Sequence, residues 1–427
     1  MSVKRLLITL SILLIAALVI VPAVAQDSTT IKVYTSWPLT GGTQAVGESM
    51  LKASQLAVAH YMEDHDGKGP AGFTVEIVPL DDASPTTGAW DGTIEAENAQ
   101  RCVNDAACMI YFGTYNSGAA KVSMVITNQA GMAQISPANS YAGLTRDCGV
   151  ENGCQADEPG IYRPTGIVNY FRTNGTDDVQ GPAGASWAVC AGFKKVYILD
   201  DTQAYGKGVA DTFANQATKV GLEVAGRGSV ESTDIDFRAL LNDVRASGAD
   251  LVYGGFVLDS GGPQVIQQME SQGLFDAGVK FMGPDGLASD SLVEQAGGAD
   301  VVNGNVMVTF PGPLPSTVTS DIGKRFYTDY LAKYDNEEPD PYALYAYQAT
   351  QVILNSIEVA GKADRTAILD AMRDTKDFEG ILATFSFDEN GDSTAAGFYG
   401  YDFADGTLSN PVLITPTMQD TDCKVGS

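Results

Sequence analysis

The chain has 427 residues, 44% hydrophobic content and a formal net charge of −27, with 46 glycines, six cysteines and two histidines. That is enough length and apolar mass for two domains with real cores. Such acidity, with no basic run in the body of the chain, argues against nucleic acid or an anionic membrane surface as partner.

Residues 1–25 stand apart. Lys4 and Arg5 precede the apolar run LLITLSILLIAALVIV, and Ala23 and Ala25 form a small-residue cleavage site. This predicts a secretory signal peptide cut before Gln26, with an uncleaved membrane anchor as the competing reading. The mature chain is then expected to be exported and soluble, at the periplasmic or outer face of the cell membrane.

From Ile31 short β-rich runs alternate with helical stretches. IKVYTSWPL reads as a strand and 47–64 as a helix; FTVEIVPLDD is a strand and 91–104 a helix. CMIYFG is a strand, 117–130 a helix and MAQISP a strand. A polar insertion, DCGVENGCQADEPG (147–160), interrupts the order. The alternation restarts with IVNYFRT, a helix from 181, KKVYILDD, a helix from about 207, LEVAGRGSV, a helix from about 235 and LVYGGF. A helix, KFMGPDG, another helix and GNVMVTF complete the second unit. The last hundred residues read as helices at 319–334, 342–361 and 364–375, then ATFSFD, AGFYGYDF and PVLITP. The pattern predicts two α/β units, each a doubly wound, mainly parallel sheet, with the tail completing one or both.

All six cysteines, Cys102, Cys108, Cys148, Cys154, Cys190 and Cys423, lie in the exported part. An even count there points to disulfides, with 102/108 and 148/154 the natural close pairs and 190 left with 423. Zinc competes as a reading, but the close pairs lack CxxC spacing and the two histidines, His60 and His65, share one helix.

In open α/β sheets ligands bind beyond the carboxyl ends of the strands. Four places qualify: WPLTGGTQAVGE (37–48), YFGTYNSGAA (111–120), ISPANS (135–140) and FMGPDG (281–286). None carries a phosphate loop, a dinucleotide fingerprint or a GxSxG elbow, so no enzyme and no cofactor is expected. The pairs Asp81/Asp82 and Asp200/Asp201 read as caps and solvated loop ends rather than as a glycosidase dyad. The same places suit an amino-acid clamp. Ser117, with Tyr115 and Asn116 before it, opens a helix whose free N–H groups would receive a carboxylate. Ser140 and the backbone near Ala138 add donors, and Asp285 offers charge for an ammonium. Trp37, Tyr115, Tyr205 and Phe256 are candidates to line the side-chain space.

The phrases PLTGGTQAVGES, LDDASPT, GTYNSGAAKVS, ISPANSYAGLT, FRTNGTDDVQGPAGA, ILDDTQAYGKG, DFRALLNDVRASGADLVYGGF, FMGPDG and FSFDENGD, in this order, carry a resemblance. The chain resembles the exported solute-binding proteins of branched-chain amino acid ABC transporters, of the leucine/isoleucine/valine-binding type. The resemblance implies a bilobed Venus flytrap, with three crossovers near 173–177, 305–310 and 383–388. Lobe 1 would hold 27–174 plus 309–384, and lobe 2 175–308 plus 385–427. It further implies a monomeric receptor that binds a free amino acid and delivers it to a membrane permease and its ATPase.

Residue by residue, the family's carboxylate-binding serine falls on Ser117 and its backbone contact on Ala138. Its threonine matches Ser140, its acid at the first crossing Asp177, and its second-lobe tyrosine Tyr205. Three positions depart: Asp285 stands for a glutamate, Phe256 for a tyrosine and Val46 for an aromatic. The resemblance therefore implies an amino acid without fixing leucine, and amide or urea receptors stay open as an alternative. DENGD (388–392) starts like a calcium loop but reads as a turn, and Asn174 of NGT is a glycosylation acceptor by sequence.

Overall fold

Strand Cys108–Gly113 (β3) is buried at every position, the signature of a strand covered on both faces. In the structure, a computed structural model describing residues 29–231, 233–395 and 397–418, it lies at the centre of a five-stranded sheet. Its companions are Thr30–Ser36 (β1), Thr74–Leu80 (β2), Ala133–Ser136 (β4) and Tyr170–Arg172 (β5), in the order β2-β1-β3-β4-β5. All pairs are parallel. The connections run through helices Gln44–Asp64 (α1), Gly92–Asn104 (α2) and Ser117–Gln129 (α3). Asp91 starts α2 by accepting from the N–H groups of Thr93 and Ile94 at 2.8 and 3.1 Å, which satisfies two of that helix's free donors. The signal-peptide reading, for residues 1–25, lies outside the described residues.

Helix Asp177–Cys190 (α4) begins the second unit. The sequence reading starts it at 181, at the Gly-Pro pair; the helix instead opens with Asp177 and Asp178 in its first turn and runs through Pro182. Acidic residues suit a helix N-terminus, so the opening two aspartates are better starters than the proline. The second sheet holds Lys195–Asp200 (β6), Glu223–Ser229 (β7), Leu251–Gly255 (β8), Lys280–Gly283 (β9) and Val306–Phe310 (β10). Between them lie Ala204–Val220 (α5), Arg238–Ser247 (α6), Gly262–Ser271 (α7) and the short Ser291–Gln295 (α8) and Ala299–Val302 (α9). From β7 to β10 the order β7-β6-β8-β9-β10 repeats that of the first sheet.

Helices Asp321–Lys333 (α10), Tyr342–Ala360 (α11) and Arg365–Arg373 (α12) return to the first sheet. There α11 packs along α1, and Arg365 Nε donates to the Cys108 carbonyl at 2.9 Å. Within the run ATFSFD only Thr384–Phe385 (β12) is strand, and it pairs with the preceding Phe378–Glu379 (β11) as a small hairpin. The turn after it bridges Asp392 to Arg172 at the edge of the first sheet. The chain then joins the second sheet antiparallel, as Phe398–Ala404 (β13) and Thr407–Ile414 (β14). The expected fold class holds: two mostly parallel sheets with flanking helices, joined by more than one crossing segment.

Cys102 pairs with Cys108 and Cys148 with Cys154. Cys190 is also disulfide-bonded, while its expected partner Cys423 lies outside the described residues. Asn174 is 1% exposed and its amide donates to the carbonyls of Ala138 and Gly175, so it is a structural side chain with no surface for a glycan. In DENGD, Asp388 accepts from the N–H groups of Asn390 and Asp392, both at 2.9 Å, and closes a turn.

Candidate functional site

Both sheets reverse their winding beside their first strand. The reversal falls between β1 and β3 in one sheet and between β6 and β8 in the other, which marks the crevice where ligands bind in open α/β sheets. Loops from these points meet. A narrow cavity between the sheets is lined by Tyr115, Asn116, Ser117 and Ala138 from the first, and by Tyr205, Val257, Asp285 and Gly286 from the second. Tyr342, at the start of α11, completes the wall. The space open to the centre of a water molecule is about 10 Å³, so the facing side chains nearly touch. A wider groove of about 590 Å³ lies between Leu314, Glu338, Asp340 and Leu408; it takes in Ser289 and Asp290 of the loop after β9 but none of the residues that line the narrow cavity.

The first wall is rigid. Ser136 Oγ donates to the Thr114 carbonyl at 2.8 Å and accepts from the N–H groups of Ala138 and Asn139 at 3.0 and 2.9 Å. Asn139 Nδ2 donates to the Tyr115 carbonyl at 2.8 Å, locking the loop after β3 to the loop after β4. These bonds hold the N-terminus of α3 at the cavity. Asn116 has extended backbone and makes no side-chain cap, so the first N–H groups of α3 remain available. Ser117, 2% exposed, uses its oxygen only to accept from Tyr141 N–H at 3.4 Å, leaving its hydroxyl proton free to donate. This wall is electropositive through the helix dipole.

The opposite wall is acidic. Asp285, 1% exposed, accepts from the Tyr205 hydroxyl at 2.6 Å and from the Tyr342 hydroxyl. Burial raises its pKa above the usual carboxylate value, and the tyrosine bonds work against that rise. Asp177 sits at the first turn of α4, where burial and then the nearby Asp285 push its pKa well up. The Ser140 hydroxyl beside it works against that rise, and no other side chain donates to its two oxygens.

Of the residues singled out from sequence, Ser117, Ala138, Tyr205, Asp285, Tyr115 and Asn116 line the cavity, and Asp177 and Ser140 lie behind its acidic end. Trp37, Val46 and Phe256 are not on its wall. Trp37 is fully buried with its ring edge-on to Phe112 at 5.1 Å, and Val46 and Phe256 belong to the same apolar core. Their rings and methyls face inward because strand ends and α1 bury apolar area there. Tyr342 and Val257 escaped the sequence reading, and Gly286 entered it only as the last residue of FMGPDG. The tyrosine-rich start PYALYAY of the helix was the available signal for Tyr342. Asp82 also differs from its reading as a solvated loop end: it is fully buried and neither oxygen has a partner.

The lobes are drawn together by several bonds. Thr43 Oγ1 donates to Asp259 Oδ2 at 2.9 Å, Trp90 Nε1 to Gln203 Oε1 at 2.7 Å, and Gln295 Nε2 to the Gly42 carbonyl at 2.8 Å. The 147–160 insertion adds another, from Asn215 Nδ2 of α5 to Asn152 Oδ1 at 3.0 Å. Buried Glu158 anchors this insertion on the first lobe, through Lys121 at 2.8 Å and Tyr141 at 2.7 Å. It is thus a stapled loop that also reaches the second lobe.

Two sheets of this order, a cleft between them and a binding wall from each define a two-lobed solute receptor. The chain belongs to the periplasmic binding protein family, whose model matches residues 30–407. Proteins of this family are solute-binding proteins, not enzymes. The chain is 28% identical over 373 residues to a Leu/Ile/Val-binding protein homolog 1 from Brucella abortus (strain 2308), covering 86% of this chain and 89% of the relative. It is also 28% identical, over 377 residues, to a leucine-, isoleucine-, valine-, threonine- and alanine-binding protein from Pseudomonas aeruginosa, with 88% and 90% covered. A leucine-binding protein LivK from Thermotoga maritima superposes with a TM-score of 0.74 at 25% identity, over 90% of this chain and 99% of that one. A binding protein of R. palustris in complex with benzoate shares the fold at a TM-score of 0.73 and 20% identity, with 90% and 96% covered. Among the described residues no helix is long and apolar enough to cross a membrane.

Proposed function

We propose that the protein is an exported receptor for a small α-amino acid, which it holds between the lobes and delivers to a membrane permease and its ATPase. One observation carries this reading: a cavity between the sheets has free N–H donors and the Ser117 hydroxyl on one side and buried aspartates on the other. That polarity matches a zwitterion in one orientation, with its carboxylate at the α3 N-terminus and its ammonium on the aspartate side. The names of the similar proteins from Brucella and Pseudomonas support an amino acid, and the latter extends to threonine and alanine. Entry requires the lobes to part, and closure is a population shift because the ligand touches both.

A second reading, a receptor for a short amide or urea, rests on the same acidic wall, which accepts amide N–H groups equally well. Simple aromatic carboxylates such as benzoate fit less well, since they bring no cation to the buried Asp177 and Asp285. Thermal-shift screening of free amino acids, short amides, urea and benzoates separates the readings. Stabilisation by α-amino acids, lost when the α-ammonium is removed, is the expected result; stabilisation by amides or benzoates alone would refute the amino-acid reading.

A further inference from the structure

The binding cavity and the 147–160 insertion meet along one helix. Tyr205, which lines the cavity, stands in the first turn of α5. Gly208 and Asn215 follow it three and ten residues on, on the same face of that helix. Ten residues of helix span about 15 Å, so this face runs from the ligand cavity out to the insertion. There the two backbones touch. A Cβ on Gly153 would stand 3.2 Å from the Gly208 Cα and 3.4 Å from the Asp211 Cβ. Gly153 also has φ +87°, so glycine suits both the turn and the close approach. Beyond it, Asn215 Nδ2 donates to the Glu151 carbonyl and, at 3.0 Å, to Asn152 Oδ1.

The insertion holds that contact firmly from the first lobe. Cys148 is bonded to Cys154, the Cys154 N–H donates to the Gly149 carbonyl at 3.2 Å, and Asn152 Nδ2 donates to the Cys148 carbonyl at 2.7 Å. This cross-link limits the conformations open to Glu151 and Asn152, so the two acceptors for Asn215 are set in advance. At the far end, the buried Glu158 takes Lys121 of α3 at 2.8 Å and the hydroxyls of Tyr141 and Tyr162 at 2.7 and 2.5 Å. The Tyr141 N–H in turn donates to Ser117 Oγ at 3.4 Å. One short segment is thus fixed to the wall that carries Ser117 and set against the helix that carries Tyr205.

We propose that the 147–160 insertion is a closure latch, which grips α5 of the second lobe only when the lobes are together and so slows release of the ligand. This rests on a ligand being held between the lobes, and not on which ligand it is. The contact is made by groups of the protein alone, so it stabilises every closed complex to the same degree. The ranking of ligands is left to the cavity walls. Because the open form lacks the contact, its loss speeds reopening and raises the apparent Kd through the closed population.

Stopped-flow fluorescence on the mature chain reads the latch, with Trp90 as reporter because its indole bonds Gln203 of the second lobe at 2.7 Å. The probes are L-leucine, L-alanine, L-threonine, acetamide, urea and benzoate, each followed if it binds. Asn215→Ala should speed release about three- to tenfold, change the association rate by less than about twofold and affect every bound probe alike. Asn215→Asp, which turns acceptors toward the Glu151 carbonyl and Asn152 Oδ1, should release at least as fast. Neither variant should change the melting temperature without ligand, since the open form makes no such contact. The pair Cys148→Ser and Cys154→Ser should also speed release. Adding Asn215→Ala to that pair should change the rate by less than about twofold, because all three act through one contact. A release rate for Asn215→Ala within about twofold of the unsubstituted protein, or a change confined to one of several bound probes, overturns the latch and leaves the receptor reading intact. Failure of every probe to bind the unsubstituted protein removes the receptor reading, and the latch with it.

Discussion

Arg172 Nε donates to Asp392 Oδ1 at 2.6 Å, joining the last strand of the first sheet to the turn from which the chain makes its final passage to the second. Arg172 has no exposed surface, and its other nitrogens bond the carbonyls of Asn139 and Tyr141 and the hydroxyl of Thr145. Asp392 also accepts from Thr145 at 3.0 Å, and Arg146 lies 3.6 Å away. The loop that carries Ser140 is thereby tied to two segments that pass between the lobes.

Removing one member of this buried pair leaves the other charge without its partner. Asp392→Asn should lower unfolding free energy by about 3–5 kcal/mol, read from denaturant midpoints with an unchanged slope. A loss below about 1 kcal/mol would show that the pair is not structurally important.

Ser117 tests the electropositive wall. Ser117→Ala removes a donor to a charged group and keeps the helix N-terminus, so amino-acid affinity should fall by about 1.5–3 kcal/mol, or roughly 10- to 150-fold. Stability without ligand should hardly change. Titration calorimetry checks the first statement and thermal unfolding the second.

Closure can be probed without substituting any residue that lines the cavity. A Cβ on Gly208 of α5 would come within 2.8 Å of the Tyr141 ring, which Glu158 and the Gly153 carbonyl hold in place at 2.7 and 2.9 Å. Gly208→Ala should therefore disfavour the closed arrangement alone. The apparent Kd should rise about tenfold, in proportion to the fall in the closed population, and small-angle scattering should show a larger radius without ligand.

Several buried carboxyls make stability depend on pH. Burial raises Glu95, Asp201 and Asp340 to about 7 and Asp259 to about 6. Each binds its proton more tightly in the folded chain than in the unfolded one, where the ordinary value is about 4. The native state thus holds more protons between these limits, and stability falls as pH rises through 6 to 7. The melting temperature should be higher at pH 5.5 than at pH 8 by several degrees. Asp105, Glu158 and Asp392, whose pKa values are lowered, act in the opposite sense only near and below about pH 4. A melting temperature that is flat or rises over pH 5.5 to 8 would contradict this.

Much of the architecture was legible because buried parallel strands announce themselves: CMIYFG and KKVYILDD are apolar without alternation, and helices separate them. The site loops were legible for a related reason, since ligands collect beyond strand ends. What escaped depends on contacts far apart in sequence. Tyr342 reaches Asp285 from 57 residues further along the chain, on a helix that packs under the other lobe. Whether an aromatic at a strand end faces the ligand or the core is decided by its neighbours, and Phe112 draws Trp37 inward. The start of α4 was misplaced because Gly181-Pro182 resembles a break, while the charges of Asp177 and Asp178 set the first turn.

The central claim is the orientation of a zwitterion between the two walls, and a crystal structure with the tightest-binding amino acid measures it directly. The account predicts the ligand carboxylate on the N–H groups at the start of α3 and on the Ser117 hydroxyl, with the ammonium on the aspartate side. A ligand lying in the wider groove beside Asp340, or bound with its carboxylate towards Asp177, would contradict it.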